Sequence, residues 1–354
     1  MNLSSSNLMK TAGKQKLKTF AYLITCVAAL LLTACSEQPS DTYSEYQARL
    51  ANALDTPPAE ASKLGNIKLN TRSFDTQSTV NVSILQLAQL NSCALSTLIA
   101  QHNSQLGKVA TPATQLIYHI EFIKAAPACL QTLDKTSNSY QQITAAKHEK
   151  QALLASYFAQ FLYTNTELKK TWQLTHYELD NNFNGLVETE LALQRLANIH
   201  KQISTQQYQQ INTQAIYQSL EQLNRFNFNQ ALITAVRKQT HLNNQTTAYL
   251  AQIELNQLCD PIKNKRQAQV VSNVFKKYYL AQLQPYQAQL TGALERLMPH
   301  YQALWLQSSY LDKALKPMLQ PEHPGNLLNG LKRSAKEHVI WWQRFYKTCE
   351  ISPI

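Results

Sequence analysis

The first chemistry legible in the chain belongs to a cysteine. Leu32-Thr33-Ala34-Cys35 closes an apolar run at residues 20–32, behind a leader that carries Lys10, Lys14, Lys16 and Lys18 and no acid. A basic segment, an apolar segment and a small-residue cleavage site in this order are an export signal. With cysteine directly after the small residues, the expected chemistry is transfer of diacylglycerol to the Cys35 thiol, followed by cleavage of the bond before it. A run of about 13 residues is short of the roughly 20 needed to span hydrocarbon, which argues against a retained membrane helix. Buried acyl methylenes contribute about 0.8 kcal/mol each, so several chains on one residue make a stable anchor. Ser36 follows, where Asp would hold the protein at the inner membrane in cells that sort in this way. The expected address is the cell outer membrane, facing the periplasm.

Four more cysteines lie beyond the anchor: Cys93, Cys129, Cys259 and Cys349. An even number in an oxidising compartment predicts two disulfides. Their spacings of 36, 130 and 90 lack the close pairs that zinc requires, so no metal and no cofactor is expected. The nine histidines include no pair at i, i+3 or i+4. His119-Ile120-Glu121 followed by Pro127-Ala128-Cys129 lacks the second ligand pair of a zinc deaminase. Gly107-Lys108 has no leading glycine, and Val109 stands where a phosphate loop needs Ser or Thr. There is no G-x-S-x-G elbow, and no Glu-Ser of the kind that helical cell-wall lytic enzymes carry. No catalytic residue is assigned. Tyr278, Tyr279, Tyr286, Tyr301, Trp305 and Tyr310, with Trp341 and Trp342, could line a groove for glycan or acyl chain or could pack as core.

What positions these residues is helix. Only Gly65, Gly107, Gly185, Gly292, Gly325 and Gly330 follow the signal, far fewer than sheet turns demand, and Leu, Ala and Gln are good helix formers. An all-α fold of many helices is therefore expected. Residues 1–34 would be signal peptide, 35–56 the lipidated tether and first helix, and 57–354 the helical domain. The whole chain carries 33 Lys and Arg against 22 Asp and Glu, and without the four leader lysines the net charge is +7. In the expected compartment the anionic partners are lipid phosphates, lipopolysaccharide and wall carboxylates, not nucleic acid.

Along the chain, Asp41 is expected to cap a first helix that stops before Pro57-Pro58, and 57–80 to run extended over the surface. Helices are expected at about 81–101, then from Thr111-Pro112 with a kink or end near Pro127, then at 138–163 and 165–179. Asp180-Asn181-Asn182-Phe183-Asn184-Gly185 is the clearest break, a candidate division into two lobes. Later helices are expected at 187–203, 206–223, 228–258, 263–283 and 286–310, the last two separated at Pro285. A final helix carries one apolar stripe through Leu328, Leu331, Ala335, Val339, Trp342, Tyr346 and Cys349. No repeat of 30–45 residues supports a solenoid.

Residues 261–294 contain no acid but hold Lys263, Lys265, Arg266, Lys276 and Lys277. At 100° per residue, Lys265, Arg266, Lys276 and Lys277 fall within about 120° of one another, on a face about 16 Å long. Val270, Val271, Val274, Phe275 and Tyr278 fall opposite. Such a stripe is either a solvated face or a contact for anionic lipid or lipopolysaccharide head groups, where each cation near the surface adds about 1 kcal/mol.

Two stretches resemble a known family. One is Asn103-Ser104-Gln105-Leu106-Gly107-Lys108, then Leu116-Ile117-Tyr118, then Ala125-Ala126-Pro127-Ala128-Cys129. The other is Leu258-Cys259-Asp260-Pro261, then Val274-Phe275-Lys276-Lys277-Tyr278-Tyr279 and Gln284-Pro285-Tyr286. With the lipobox and the late Trp342 and Cys349, the mature chain is similar to a family of Gram-negative lipoproteins catalogued only as a domain of unknown function. The resemblance implies export, lipidation and four paired cysteines, and no catalytic residue. The pairing expected is Cys93–Cys129 with Cys259–Cys349. A symmetric hairpin turning near Leu106 would set Cys93 opposite His119, ten residues short of Cys129, so a bond between Cys93 and Cys349 stays open. Because the resemblance includes Asn103, Ser104, Gly107 and Lys108, that loop is a candidate interaction surface; a loop that needs Gly107 only to turn is the plain alternative.

These readings lead to a lipid-anchored envelope protein with a structural or interaction role, its partner a head group or another envelope protein. A periplasmic binder of lipid or another amphiphile would show a cavity. An envelope hydrolase would show a cleft carboxylate with a raised pKa.

Overall fold

Side-chain caps set several of the helix starts, and the first helix ends before Pro57-Pro58 as expected, but neither Pro127 nor Pro285 ends a helix. The computed structural model describes residues 38–60, 62–70, 74, 76, 93–260, 265–308 and 310–352. The signal, Cys35 and most of the helix expected from 81 lie outside the described residues, among which helix is the only regular structure.

Helix α1 (Pro39–Leu54) starts earlier than expected. Gln38 is its N-cap, and Asp41 is the third helical residue, its carboxylate accepting the Gln38 N–H at 2.7 Å. The chain then runs without regular structure over 57–60 and 62–70. Helix α2 (Ala94–Asn103) leads into a single turn, Gln105–Lys108, capped by the Ser104 hydroxyl on the Gly107 N–H. The expected loop is thus largely helical turn. Helix α3 (Pro112–Thr132) opens on Thr111, whose hydroxyl accepts the Thr114 N–H at 3.2 Å, with Pro at the first helical position. It continues through Pro127 instead of ending there.

Helix α4 (Asn138–Thr164) is capped by Ser137. Of the helix expected at 165–179 only the turn Thr166–Lys170 forms. Beyond it, burial of Trp172 and tertiary bonds to the backbone, Thr175 N–H to the Thr234 hydroxyl and the Tyr286 hydroxyl to the Leu179 carbonyl, outweigh helix propensity. Helices α5 (Leu186–Ser204), α6 (Gln214–Phe226) and α7 (Phe228–Leu250) follow.

Helix α8 runs unbroken over 265–306: α-helical at Lys265–Val274, π-helical at Phe275–Leu283, α-helical at Gln284–Tyr301 and π-helical at Gln302–Leu306. The expected break at Pro285 is absent. Proline removes one i→i−4 bond and crowds the carbonyl four residues back; here that residue, Ala281, lies in the wider π stretch. Helix α9 (Leu327–Cys349) is capped by Asn326, whose side-chain oxygen accepts from Leu328 and Asn329 N–H at 3.1 Å each.

The largest apolar cluster draws on α3 to α9, and the 180–186 break falls inside it: Trp172 and Leu179 before the break and Leu193 and Ile233 after it belong to the same cluster. A second, aromatic cluster joins α1, α8 and α9 around Tyr46, Phe275, Tyr279 and Trp342. A third, smaller one lies between α2, α3 and α4. These clusters use residues from Tyr43 to Cys349, so a chain starting at Ser36 keeps every described core contact. Both expected disulfides form, Cys93–Cys129 and Cys259–Cys349, with Cα separations of 5.5 and 4.6 Å.

Candidate functional site

The Cys93–Cys129 bond fixes how α2 lies on α3. His102 stacks on Tyr118 with ring centroids 3.7 Å apart, so nine residues on α2 match eleven on α3. Helix α2 is therefore displaced along α3, not folded symmetrically about Leu106, which is how Cys93 comes to reach Cys129. The displacement leaves the first turns of α3 without a helix above them. The Gln105–Lys108 turn and residues 109–111 close over that floor and leave a groove of about 790 Å³. Leu98, Leu106, Val109, Ile117 and Tyr118 give it a mainly apolar lining. Leu106 and Val109 are 82% and 78% exposed.

Gly107 is needed here for close approach. A Cβ on it would lie 2.0 Å from the His102 carbonyl oxygen. Of the candidate loop, Ser104 and Gly107 line the groove; Asn103 ends α2 and Lys108 ends the turn.

Behind the groove sits a cation. Lys150 of α4 is only 7% exposed. Its Nζ donates to His119 Nδ1 at 3.2 Å and lies 4.9 Å from the Tyr118 ring centroid and 5.1 Å from that of Phe122. Burial pushes the Lys150 ammonium down to about 8. Burial, then the Lys150 charge, holds His119 at about 2, and the same causes lower His102. Sequence reasoning missed this cluster because Lys150 is far from the groove in sequence. Leu106 and Val109, on either side of Gly107-Lys108, were the one available signal: apolar side chains in a segment expected to face solvent.

The aromatic run packs as core. Tyr278, Tyr279, Tyr286, Tyr301, Trp305, Trp341 and Trp342 are buried, and Tyr310 is partly so. Polar side chains are buried near it. Asn243 donates to Gln287 and Ser334, Gln287 donates to Gln239, and the Tyr43 hydroxyl bonds Asn243. His338 bonds Tyr46 and Thr247 through its two ring nitrogens and accepts from Trp342. Among the carboxylates, Glu45 and Asp134 are held below their ordinary range, mainly by hydrogen bonds from Tyr278 and Thr136 respectively. Both shifts run opposite to what a general acid needs.

The basic stripe is only partly assembled. Lys265, Arg266 and Lys277 are exposed and Lys276 half-buried. Val270, expected on the apolar face, is 46% exposed; the buried face runs through Ala268, Val271, Ser272, Phe275 and Tyr279. The π turn also changes the angular step beyond 274, so the 100° reckoning does not carry Lys276 and Lys277 into register. Lys277 lies over the Tyr278 ring and within electrostatic reach of Glu45 on α1.

No group of His, Cys, Asp and Glu suited to hold a metal occurs among the described residues, and none of the described helices is long and apolar enough to cross a membrane. A family model described as "Protein of unknown function (DUF3080)" matches residues 43–353. Neither a curated protein nor a solved structure matches. The match runs from the first buried tyrosine of α1 past the last disulfide cysteine, and the chain belongs to this DUF3080 family.

Proposed function

We propose that this protein is an interaction lipoprotein of the cell envelope, tethered to the periplasmic face of the outer membrane through Cys35, and that its groove binds a single-chain amphiphile. The observation that carries the ligand reading is the apolar groove between α2 and α3, with Leu106 and Val109 exposed at its edge. Large apolar side chains exposed beside a concave apolar surface mark binding sites, and about 790 Å³ lies within the range of small-ligand pockets. Export and lipidation would place that groove beside a bilayer, the richest source of amphiphiles.

A soluble chain starting at Ser36 is expected to bind an uncharged long-chain alcohol. Burial of each large apolar side chain contributes roughly 1.5–3 kcal/mol, so Leu106→Ser with Val109→Ser should weaken binding by about tenfold or more without lowering Tm. Equal affinity in wild type and variant would rule the groove out.

A further inference from the structure

We infer that the groove between α2 and α3 selects a long-chain carboxylate, whose head group is received at the His102–Tyr118 stack with the Lys150 ammonium behind it. This rests on the amphiphile reading and adds the chemistry of the head group. His102 lines the groove, and neither ring nitrogen has a hydrogen-bond partner among the described residues; its ring stacks on Tyr118 and meets His119 edge-on. It therefore presents one free N–H donor to whatever enters.

Lys150 supplies the charge. Its Nζ lies 4.9 Å from the centroid of the same Tyr118 ring, so the ammonium lies against a ring that also lines the groove. A buried cation is costly unless an anion compensates it. Among the described residues no carboxylate comes within ion-pair distance of Lys150, and its direct polar contact is the neutral His119. The groups facing it are Tyr118, His119 and Phe122 from α3, His102 from α2, and Glu149 from α4 itself, with Tyr157 stacked on His119. Glu149 is the one acid among them and is partly exposed. A carboxylate on the groove side would complete this arrangement: planar, singly charged, accepting from His102 and attracted through a low-dielectric ring by Lys150. A head group with two or more charges would need more donors than His102 and Lys150 provide.

The test compares palmitate with hexadecanol, equal in chain and different in head group, on the soluble chain from Ser36 at about pH 7, where Lys150 is charged. Palmitate is expected to bind more tightly. A hydrogen bond or pairing to a charged group contributes about 1.5–3 kcal/mol, so Lys150→Met should weaken palmitate about tenfold or more and leave hexadecanol unchanged. His102→Phe keeps the ring stack and removes the donor, and should act in the same direction; being at the groove surface, it guards against a folding defect in Lys150→Met. Raising the pH through about 8 should weaken palmitate alone, as Lys150 loses its proton. Hexadecanol binding with no carboxylate preference, or variants that change both ligands equally or neither, would overturn this inference and leave the amphiphile reading standing. Binding of neither ligand would remove both.

Discussion

His338 touches no solvent, and its two ring nitrogens are committed to Tyr46, Trp342 and Thr247. Burial holds its pKa at about 3, so the folded chain keeps it neutral across the physiological range. An unfolded chain protonates the same imidazole near pH 6.5. The folded pKa is the lower of the two, so stability from this residue is complete above pH 6.5 and is lost as pH falls toward 3. The loss should amount to a few kcal/mol, since each pKa unit is worth about 1.4 kcal/mol. His338→Gln removes the titration and keeps a polar side chain of similar reach. Urea melts at several pH values should show a shallower acid decline in the variant; parallel declines would mean that His338 does not carry the effect. Of its partners only Trp342 lies on the same helix, four residues on; Tyr46 and Thr247 come from α1 and α7, and spacing within one helix cannot reveal them.

Helices were legible where their ends are local and obscure where their ends are tertiary. Thr111-Pro112 fixed the start of α3 because the cap is made within four residues. The fate of 165–179 depended on Trp172, Thr234 and Tyr286, which no local pattern links. The continuity of α8 depended on a π stretch that helical periodicity does not encode. The groove was legible only as a segment, 103–108, because its shape follows from the displacement of α2 along α3. That displacement is set by Cys93–Cys129, which closes a loop of 36 residues, a constraint worth roughly 3–4 kcal/mol in the chain-entropy account. Non-reducing peptide maps should therefore link Cys93 to Cys129, and replacing both by Ala should lower stability by a comparable amount and weaken the alcohol ligand. If amphiphile binding survives unchanged in that variant, the disulfide does not shape the groove.

At the scale of the whole molecule, the proposed lipid would attach just ahead of α1, and exposed Lys265 and Arg266 begin α8. Gln38, three residues from Cys35, is held to the body by the Glu178 N–H at 2.9 Å. The lipid would thus lie within about 10 Å of the body, since an extended residue spans at most about 3.6 Å. At the opposite end of α1, Gln267 of α8 donates to the Ala53 carbonyl, beside Lys265 and Arg266. An anchored body lying flat would bring both to the head groups. The soluble chain from Ser36 should bind anionic vesicles in a salt-sensitive way, and glutamine at Lys265, Arg266, Lys276 and Lys277 should abolish this. Lys265 and Arg266 should account for most of the loss, because Lys276 is half-buried and Lys277 has Glu45 nearby. Indifference to such vesicles at low salt would leave the stripe as a solvated face.

The most direct measurement is photo-crosslinking of the full chain in its own envelope with a long-chain fatty acid that carries a diazirine near its methyl end. The acyl chain is placed along Leu98, Leu106, Val109 and Ile117, so the label should map to peptides within residues 97–118 and should be displaced by excess unlabelled palmitate. Leu106→Ser with Val109→Ser should lose it. Label spread over the aromatic core or the α8 surface, or undiminished in that variant, would contradict the account.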